Sequence, residues 1–358
     1  MVGALIVEGG QVVAEGFHEK DGGPHAEIVA LRALGRRPKP DAILVVTLEP
    51  CSTVGRTGAC TSAILEAGIR RVIVGAKDPN PAHAGRGLEL LRNKGVHVVQ
   101  GVMESRCEDL NLLFNFRMRH GRPMIALKVA LTLDGCLAVA SGHSRWITGA
   151  PARVDVMGWR RLFPAIAVGR GTIERDNPAL TSRGVGGADW CPIRFVFDSR
   201  LKLATTRRQL KIFSGADAAR TIVVCAGADP AARSAIEAHG AQVWECGETK
   251  GRVNLRAWRD RVAAEGLVGV YVETGPTLFQ AFLDEALCDY LFAYHAPILV
   301  GDPKAPRLTA PLFPMKMDGA ARLADPRVQI LGSDTLVRGF LYGPGAADDA
   351  DPSILFKK

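Results

Sequence analysis

The chain has no stretch of about 18 apolar residues, the length a helix needs to cross a bilayer, so nothing in it reads as a membrane span. Val2-Gly3-Ala4-Leu5-Ile6-Val7 runs straight into Glu8, with no basic n-region and no cleavage site, so export is not expected. Large amphipathic rings are scarce, with four Tyr and five Trp in 358 residues. A nucleic-acid groove wants stacked aromatics within a concentrated basic patch, whereas the arginines behind the net charge of +8 are spread over many segments. Anionic small substrates and a phosphate-bearing cofactor explain that excess at least as well, and a solvated surface accounts for most of it. No Gly-x-Gly-x-x-Gly occurs, which removes the motif argument for a Rossmann dinucleotide site. The eight cysteines (51, 60, 107, 136, 191, 225, 246 and 288) are mostly scattered singly among apolar residues, as in a reducing compartment, and the protein is read as cytoplasmic.

What is present centres on Pro24 to Cys60. This stretch holds Pro24-His25-Ala26-Glu27, then Thr47-Leu48-Glu49-Pro50-Cys51, then Cys60. The imidazole of His25 and the thiols of Cys51 and Cys60 are three soft ligands, a set that suits Zn²⁺ with its fourth position open to water. Glu27 lies close to such a metal without needing to ligate it. Zinc on one His and two Cys, with a Glu nearby to move protons, is the arrangement of the zinc deaminases. There the metal lowers the pKa of its water, and hydroxide attacks an amidine-like ring carbon. Ala42-Ile43-Leu44-Val45-Val46 reads as a buried strand that delivers Pro50-Cys51 at its carboxyl end, where α/β sheets place their sites. Pro24 is placed at the first turn of a helix from His25 to Leu34. Two buried structural cysteines and a surface histidine are the plainer account of each residue alone. The joint pattern favours zinc. One feature departs from the general signature: eight residues, not two, separate Cys51 from Cys60.

The rest of the first half alternates. Residues 2–7 and 11–16 form a hairpin turned at Gly9-Gly10. Thr61 to Gly68 reads as a helix, Arg71 to Gly75 as a strand, Gly87 to Asn93 as a helix and Val96 to Val99 as a strand. This βαβα order implies a three-layer α/β/α domain. Residues 104–123 read as one helix whose basic end runs into a turn, a plausible domain junction. We take residues 1–120 as the first domain, 121–345 as the second and 346–358 as a tail; 358 residues are too many for one ordinary core. In the second domain, strands are expected at Met124–Ala130, Ala165–Gly169, Arg194–Ser199, Thr221–Cys225 and Gly269–Glu273. The last is followed by Thr274-Gly275-Pro276-Thr277-Leu278 and an apolar helix, whose free N–H groups and positive dipole end suit an anion. Many α/β turns look like this with no ligand.

Several segments together resemble the bifunctional riboflavin-biosynthesis deaminase/reductase family. They are Gly16-Phe17-His18, Gly23 to Glu27, the loop from Pro50 to Cys60, Asp78-Pro79-Asn80-Pro81 and Gly85-Arg86-Gly87. In the second half they are Lys128, Thr132-Leu133-Asp134-Gly135, Ser144 with Trp146-Ile147-Thr148, Asp176-Asn177-Pro178, and Glu273-x-Gly275-Pro276-Thr277-Leu278. The resemblance covers nearly the whole chain. It implies a cytidine-deaminase-like three-layer α/β/α domain followed by a dihydrofolate-reductase-like α/β domain that uses NADPH. By position, Glu27 is the catalytic residue, and Arg56, Asp78 and Asn80 hold the pyrimidine and its ribose phosphate. For Asp78 and Asn80 a Pro-rich turn and nothing more remains the other account. Ala130, Trp146, Thr172, Asp176, Ser199 and the run Gly275, Pro276, Thr277, Leu278, Phe279, Gln280, Ala281 would line the cofactor. Lys128, Ser144, Arg160, Leu180, Arg183 and Glu273 would serve the sugar-phosphate substrate, the two arginines by their fixed fork.

The chain also departs from the family. Thr53 stands where a His is usual, Thr274 where a small Gly or Ala is usual, and Asp289-Tyr290 where Asp-Glu is usual. The family has a helix and an Asn-Pro pair ahead of Val2-Gly3, and we expect the true start to lie upstream of Met1. The resemblance implies two reactions on a phosphorylated pyrimidine. Zinc-hydroxide deamination of 2,5-diamino-6-(5-phosphoribosylamino)pyrimidin-4-one comes first. NADPH reduction of the ribosyl group to ribityl follows, with Glu273 or Lys128 available to stabilise charge or move a proton. A homodimer through the reductase half is implied, with neither nucleic acid nor membrane as partner. Two other readings stay open. One is a nucleic-acid deaminase whose second half is a targeting module, and the other an NADPH oxidoreductase whose zinc is only structural.

Overall fold

Alternation builds the first sheet. In β1 (Gly3–Glu8), Ala4, Ile6 and Glu8 are buried while their neighbours are partly exposed, the period of two that a half-covered strand imposes. β1 turns into β2 (Gln11–Phe17) through Gly9 and Gly10, at φ 54° and 77°. Both central residues are thus left-handed, the turn whose twist matches an antiparallel hairpin and which glycine adopts without strain. The computed structural model describes residues 1–20, 22–53, 58–80, 83–308, 317 and 320–342. Two compact units are present, Met1–Gly121 and Arg122–Lys358.

In the first unit α1 (Ala26–Leu34), β3 (Ile43–Leu48), α2 (Cys60–Ala67), β4 (Arg71–Ala76), α3 (Arg86–Asn93), β5 (His97–Gln100), α4 (Glu104–Leu110) and α5 (Leu112–His120) follow the hairpin. The sheet order is β2-β1-β3-β4-β5. β1 pairs antiparallel with β2 and β3, whereas β3, β4 and β5 run parallel. The parallel strands therefore end at one edge, and the residues after β3 and β4 meet there. Ile6, Leu44, Val46, Val72 and Val74 pack with Ala26, Ala30, Ile64, Leu88 and Leu91 of the helices. Gly16 lets α1 lie directly on β2, since a Cβ there would fall 2.3 Å from the Ala30 nitrogen and 2.4 Å from the Ala26 oxygen.

Two local expectations need correction. Pro24 is not in the first turn: α1 starts at Ala26 and its N-cap is His25 at ψ 159°, so Pro24 sits one residue outside the helix. An X-Pro bond disfavours helical backbone in the residue before it, so the helix begins after Pro24. The single helix expected over 104–123 is two, because Asn111 at φ −118° breaks the ladder between α4 and α5. Asn111 is itself buried, so its place in the core overrides helical continuity.

The second unit contains β6 (Met124–Thr132), α6 (Ala150–Leu162), β7 (Ala165–Gly169), α7 (Arg170–Asp176), β8 (Ile193–Phe197), β9 (Thr221–Cys225), α8 (Pro230–Glu237), β10 (Gln242–Glu245), β11 (Glu248–Thr249), β12 (Arg252–Val253), α9 (Leu255–Ala264), β13 (Gly269–Glu273), α10 (Pro276–Asp284), β14 (Tyr290–Ala296), β15 (Arg322–Leu331) and β16 (Asp334–Tyr342). Nine strands share one sheet in the order β10-β9-β8-β7-β13-β6-β14-β16-β15. All its pairs are parallel except those that β16 makes with β14 and β15. Helices cover both faces, so the central strands are buried on both sides and read as continuous apolar runs. Trp258 anchors one face, edge-on to Phe195, Phe197 and Phe282 at 5.5, 5.0 and 5.8 Å between ring centres. Ile166, Val168, Val196 and Val223 fill the other.

β10, β14, β15 and β16 carry no expectation from the sequence. In β15 the reason is plain, because Asp325-Pro326 would end an interior strand. Here the register shifts between Ala324 and Arg327, and the strand lies at the sheet edge, where a bulge and a missing N–H are tolerated. No helix among the described residues is long and apolar enough to cross a membrane.

Gly16→Ala should force α1 off β2, at a cost of about 1–3 kcal/mol for the overpacked contact. Because α1 carries His25 and Glu27, we expect a lower unfolding midpoint for the first unit together with weaker zinc retention. Calorimetry and metal analysis of the purified variant measure the two.

Candidate functional site

Three elements aim their ends at one point. Cys51 follows β3, Cys60 opens α2, and His25 caps α1. The ligand atoms of His25, Cys51 and Cys60 all lie within 4.8 Å of one another, and they form a group fit for a metal ion. His25 Nδ1 is 3.2 Å from Cys60 Sγ and 3.4 Å from Cys51 Sγ. The Cys60 backbone N–H, at the first turn of α2, donates to Cys51 Sγ at 3.3 Å. A helix N-terminus so placed favours a thiolate.

The charges at this point are unsettled without a cation. The Cys60 thiol donates to Cys51; against the opposing effect of burial, that bond and those from His25 and the Cys60 N–H hold Cys51 down at about 4. The shared proton stays on Cys60, which this same hydrogen bond and burial push far up. The hydrogen bond to Cys51 raises the His25 imidazole, over the opposing effect of burial. One proton is thus shared by two sulfurs in front of an imidazole, and a dipositive ion is the natural replacement for it. The donor set, one nitrogen and two sulfurs, fits zinc. Glu27 is 3% exposed, in the first turn of α1. Burial pushes its carboxyl up, against hydrogen bonding to its own backbone and the charge of His25, and it also bonds Cys60.

Asp78 and Asn80 follow β4, the parallel neighbour of β3, and so stand at the same edge as Cys51. The Asn80 N–H donates to Asp78 Oδ1 at 2.8 Å, and burial raises the Asp78 carboxyl against that bond. The residue that ties this segment to the metal strand is Glu49, which the sequence reading quotes within Thr47–Cys51 and assigns no role. Its carboxylate accepts the backbone N–H of Asp78 and Gly85 on Oε2, at 3.1 and 2.8 Å, and of Gly87 and Leu88 on Oε1, at 2.9 and 3.4 Å. Buried amides left without an acceptor cost about 1–3 kcal/mol each, so this carboxylate is a strong local constraint. The available signal was an acid that no solvent-facing pattern required, just ahead of a ligand and with a Gly-rich loop downstream. Arg56 lies outside the described residues, as does the stretch 346–358, and Thr53 is exposed.

In the second unit Lys128, Arg160 and Glu273 meet toward the carboxyl ends of β6 and β13. Glu273 at the end of β13 pairs in register with Lys128 of β6 and Val168 of β7. Arg160 of α6 binds Glu273 through both fork nitrogens, Nε to Oε1 at 2.6 Å and Nη2 to Oε2 at 2.8 Å, and its Nη1 donates to the Thr181 carbonyl at 3.0 Å. Its fork is therefore already engaged, and toward a phosphate it offers charge more than open donors. Burial opposes ionisation of Glu273, but Arg160 and then Lys128 outweigh it and hold the carboxyl below its usual range. Burial pushes the Lys128 ammonium down, partly offset by Glu273.

Gly169 and Gly275 are the N-caps of α7 and α10, and they bring two helix starts to this edge, with Thr172 in the first and Pro276, Thr277 and Leu278 in the second. The Thr274 hydroxyl donates back to the Lys128 carbonyl at 3.2 Å, which turns it along the sheet. Trp146 is 68% exposed, with the Arg153 guanidinium 4.7 Å from its ring centre. Arg145 beside it pairs with Asp176, Nε to Oδ1 at 3.5 Å, so the two predicted cofactor residues Trp146 and Asp176 share a neighbour. The Ser199 hydroxyl accepts the Val253 N–H at 3.3 Å. Ala130 and Ser144 are partly exposed and Arg183 is exposed. Gln280 and Ala281 are also partly exposed.

Two of the expected contact residues have their side chains in the core. Leu180 and Phe279 are core side chains, 2% and 3% exposed, so only their backbones are free to face a ligand. The Asp289-Tyr290 pair is structural: Asp289 accepts Arg122 at 2.8 and 2.7 Å and the Ile125 N–H at 2.8 Å, tying β14 to β6, and Tyr290 accepts Arg338 at 2.9 Å.

Two family models match separate parts of the chain. The RibD C-terminal domain family matches residues 123–338, and the cytidine and deoxycytidylate deaminase zinc-binding region matches residues 1–76. The riboflavin biosynthesis protein RibD of Bacillus amyloliquefaciens is 37% identical over 308 residues, 86% of this chain and 81% of that protein. The RibD protein of Escherichia coli is 37% identical over 335 residues, 90% of this chain and 87% of the relative. Among solved structures, Acinetobacter baumannii RibD superposes with a TM-score of 0.70 at 34% identity, covering 95% of this chain and 92% of the other. A diaminohydroxyphosphoribosylaminopyrimidine deaminase/5-amino-6-(5-phosphoribosylamino)uracil reductase from Thermotoga maritima does so with a TM-score of 0.70 at 31% identity, covering 96% and 91%.

Cys60→Ser should lower the zinc content of the purified chain from about one ion to well under half, because one of three protein donors is replaced by a poor one. Metal analysis reads this directly, and the second unit's reductase activity should be unchanged.

Proposed function

The chain belongs to the RibD family and is a bifunctional deaminase and reductase of riboflavin biosynthesis, and from that premise we propose how its own residues divide the work. The first substrate is 2,5-diamino-6-(5-phosphoribosylamino)pyrimidin-4-one, which the first unit deaminates. His25, Cys51 and Cys60 hold zinc, and the convergence of their three donors within 4.8 Å, beside a buried Glu27, is the observation that carries the assignment. Zinc in such a set makes a water nucleophilic near neutral pH. Glu27 takes the proton from the attacking water and returns it to the departing amine, and its raised carboxyl pKa suits a group that must hold that proton before delivering it. Asp78 and Asn80 orient the ring at the same sheet edge.

The second unit reduces the deaminated ribosylamine to the ribitylamine. NADPH supplies the hydride when bound. The starts of α7 and α10 offer N–H groups to its phosphates, Thr172, Ser199 and the turn from Gly275 to Leu278 shape its bed, and Trp146 and Asp176 close one side. Ala130 and the backbone of Phe279, with Gln280 and Ala281, complete it. Lys128, Ser144, Arg160, Leu180 through its backbone, Arg183 and Glu273 hold the sugar phosphate, with Lys128 and Glu273 as cross-strand neighbours able to stabilise charge or move a proton. Arg56 serves the first site's phosphate. The reductase match over 123–338 replaces the reading of the second half as a nucleic-acid targeting module. Eight free cysteines support a reducing, cytoplasmic setting. Exposed Val328 and Ile330 on the edge strand β15 support a homodimer through the reductase unit.

Glu27→Gln should reduce ammonia release by about 10²- to 10⁴-fold, the usual worth of a positioned general acid–base. Bound zinc should persist, and NADPH consumption on supplied deaminated substrate should be unaffected. Following ammonia and NADPH absorbance separately tests both halves. Full deamination by this variant would remove Glu27 from the scheme, and NADPH oxidation absent in the wild type would remove the cofactor assignment.

A further inference from the structure

Glu49 lies between the last residue of β3 and the ligand-bearing Pro50-Cys51, and the residue is 6% exposed. Its own N–H donates to the Ala76 carbonyl at 2.9 Å, which continues the β3–β4 pairing to the very end of both strands. From that fixed root the side chain reaches two separate pieces of backbone. On one side are the Gly87 and Leu88 amides at the start of α3, whose N-cap, Gly85, has no side chain to offer. On the other is the Asp78 amide at the exit from β4. Capping alone would account for the first group, since a carboxylate is favoured at a helix start. It does not account for Asp78, which belongs to no helix. The approach is also tight: a Cβ on Gly87 would fall 2.1 Å from the Pro50 carbonyl, so α3 begins directly against the metal-ligand turn.

We propose that Glu49 is a positioning residue for deamination: it locks the segment bearing Asp78 and Asn80, and the start of α3, to the strand that carries Cys51. The spacing between the groups that grip the pyrimidine and the metal centre that acts on it is thereby set by one carboxylate with four amide partners. This inference rests on the reading of Asp78 and Asn80 as substrate contacts. Glu49 touches neither substrate nor metal in this scheme. Its loss loosens binding and alignment of the ring and leaves the zinc ligands in place.

The test uses the zinc-loaded two-unit chain with Glu49→Gln, which keeps the shape but turns an NH₂ toward N–H donors. We expect the deaminase KM to rise about tenfold or more, the worth of one or two lost hydrogen bonds, with kcat falling by less. Zinc content and reductase turnover should match the wild type. Hydrogen exchange in peptides carrying the Asp78, Gly85, Gly87 and Leu88 amides should speed up by about tenfold, with β1 and β2 unchanged. Asn80→Ala should raise the same KM, and the double variant should raise it by less than the product of the two single effects. Glu49→Asp, which withdraws the carboxylate by one methylene, should show the same pattern at smaller size and serves if the Gln variant does not fold. Wild-type KM and exchange in the variant that folds overturn the proposal, as does loss of zinc in step with activity or a fully multiplicative double variant. If Asn80→Ala leaves KM unchanged, the reading beneath the proposal fails and takes it along. If Asn80→Ala raises KM while the Glu49 variants are silent, only the role of Glu49 falls.

Discussion

Two sulfurs and an imidazole are held close enough to share one proton, and much of the first unit exists to keep them so. A thiol, a ring nitrogen and a helix N–H favour the thiolate form of Cys51. The hydrogen bond to Cys51 and burial push its partner Cys60 far up. A dipositive ion resolves that conflict by taking both sulfurs as thiolates, and the binding free energy becomes folding free energy for the elements that carry the ligands. Those elements are a strand end and two helix starts. Close packing helps hold them, since α1 is pressed onto β2 at Gly16 and α3 onto Pro50, beside Cys51, at Gly87.

The same rule organises the second unit with different chemistry. Parallel strands carry their carboxyl ends to one edge, and there Lys128, Glu273 and Arg160 form a half-buried group of two basic side chains and one acid. Desolvation makes a buried ion pair weak evidence for stability. Its surplus positive charge, placed beside two helix starts, is what an anionic substrate and a phosphate-bearing cofactor require. In both units glycines or a missing N-cap side chain leave amides exposed at helix starts. In the first unit a protein carboxylate, Glu49, takes up those amides. In the second, the turn at Gly275 has open space beside it, with nothing within 4 Å of the position a Cβ would take.

How much of this could be read beforehand varied with the range of the interaction responsible. The zinc ligands are recoverable from sequence because residue type limits the chemistry: few groupings besides a metal site place His-Ala-Glu ahead of Leu-Glu-Pro-Cys at a strand end. The central strands of the second unit were legible because burial on both faces writes a continuous apolar run, as in Met124–Ala130. β15 was not, since Asp325-Pro326 looks like a stop until the bulge and the edge position are known. The break at Asn111 was equally hidden, because a buried polar residue has no local signature distinguishing it from a solvated one.

The sequence by itself determined what is chemical and local: the ligand types, the βαβα alternation, the hairpin at Gly9-Gly10 and the family to which these motifs point. Tertiary structure alone decided which groups answer one another. Arg160 engages Glu273 113 residues away, Asp289 engages Arg122 across 167, and Glu49 gathers amides from 29 to 39 residues downstream. Such pairings depend on sheet order, and sheet order follows from the packing of whole elements. No residue type encodes its own distant partner, because any buried carboxylate is satisfied equally well by whichever donors the fold happens to bring within 3 Å.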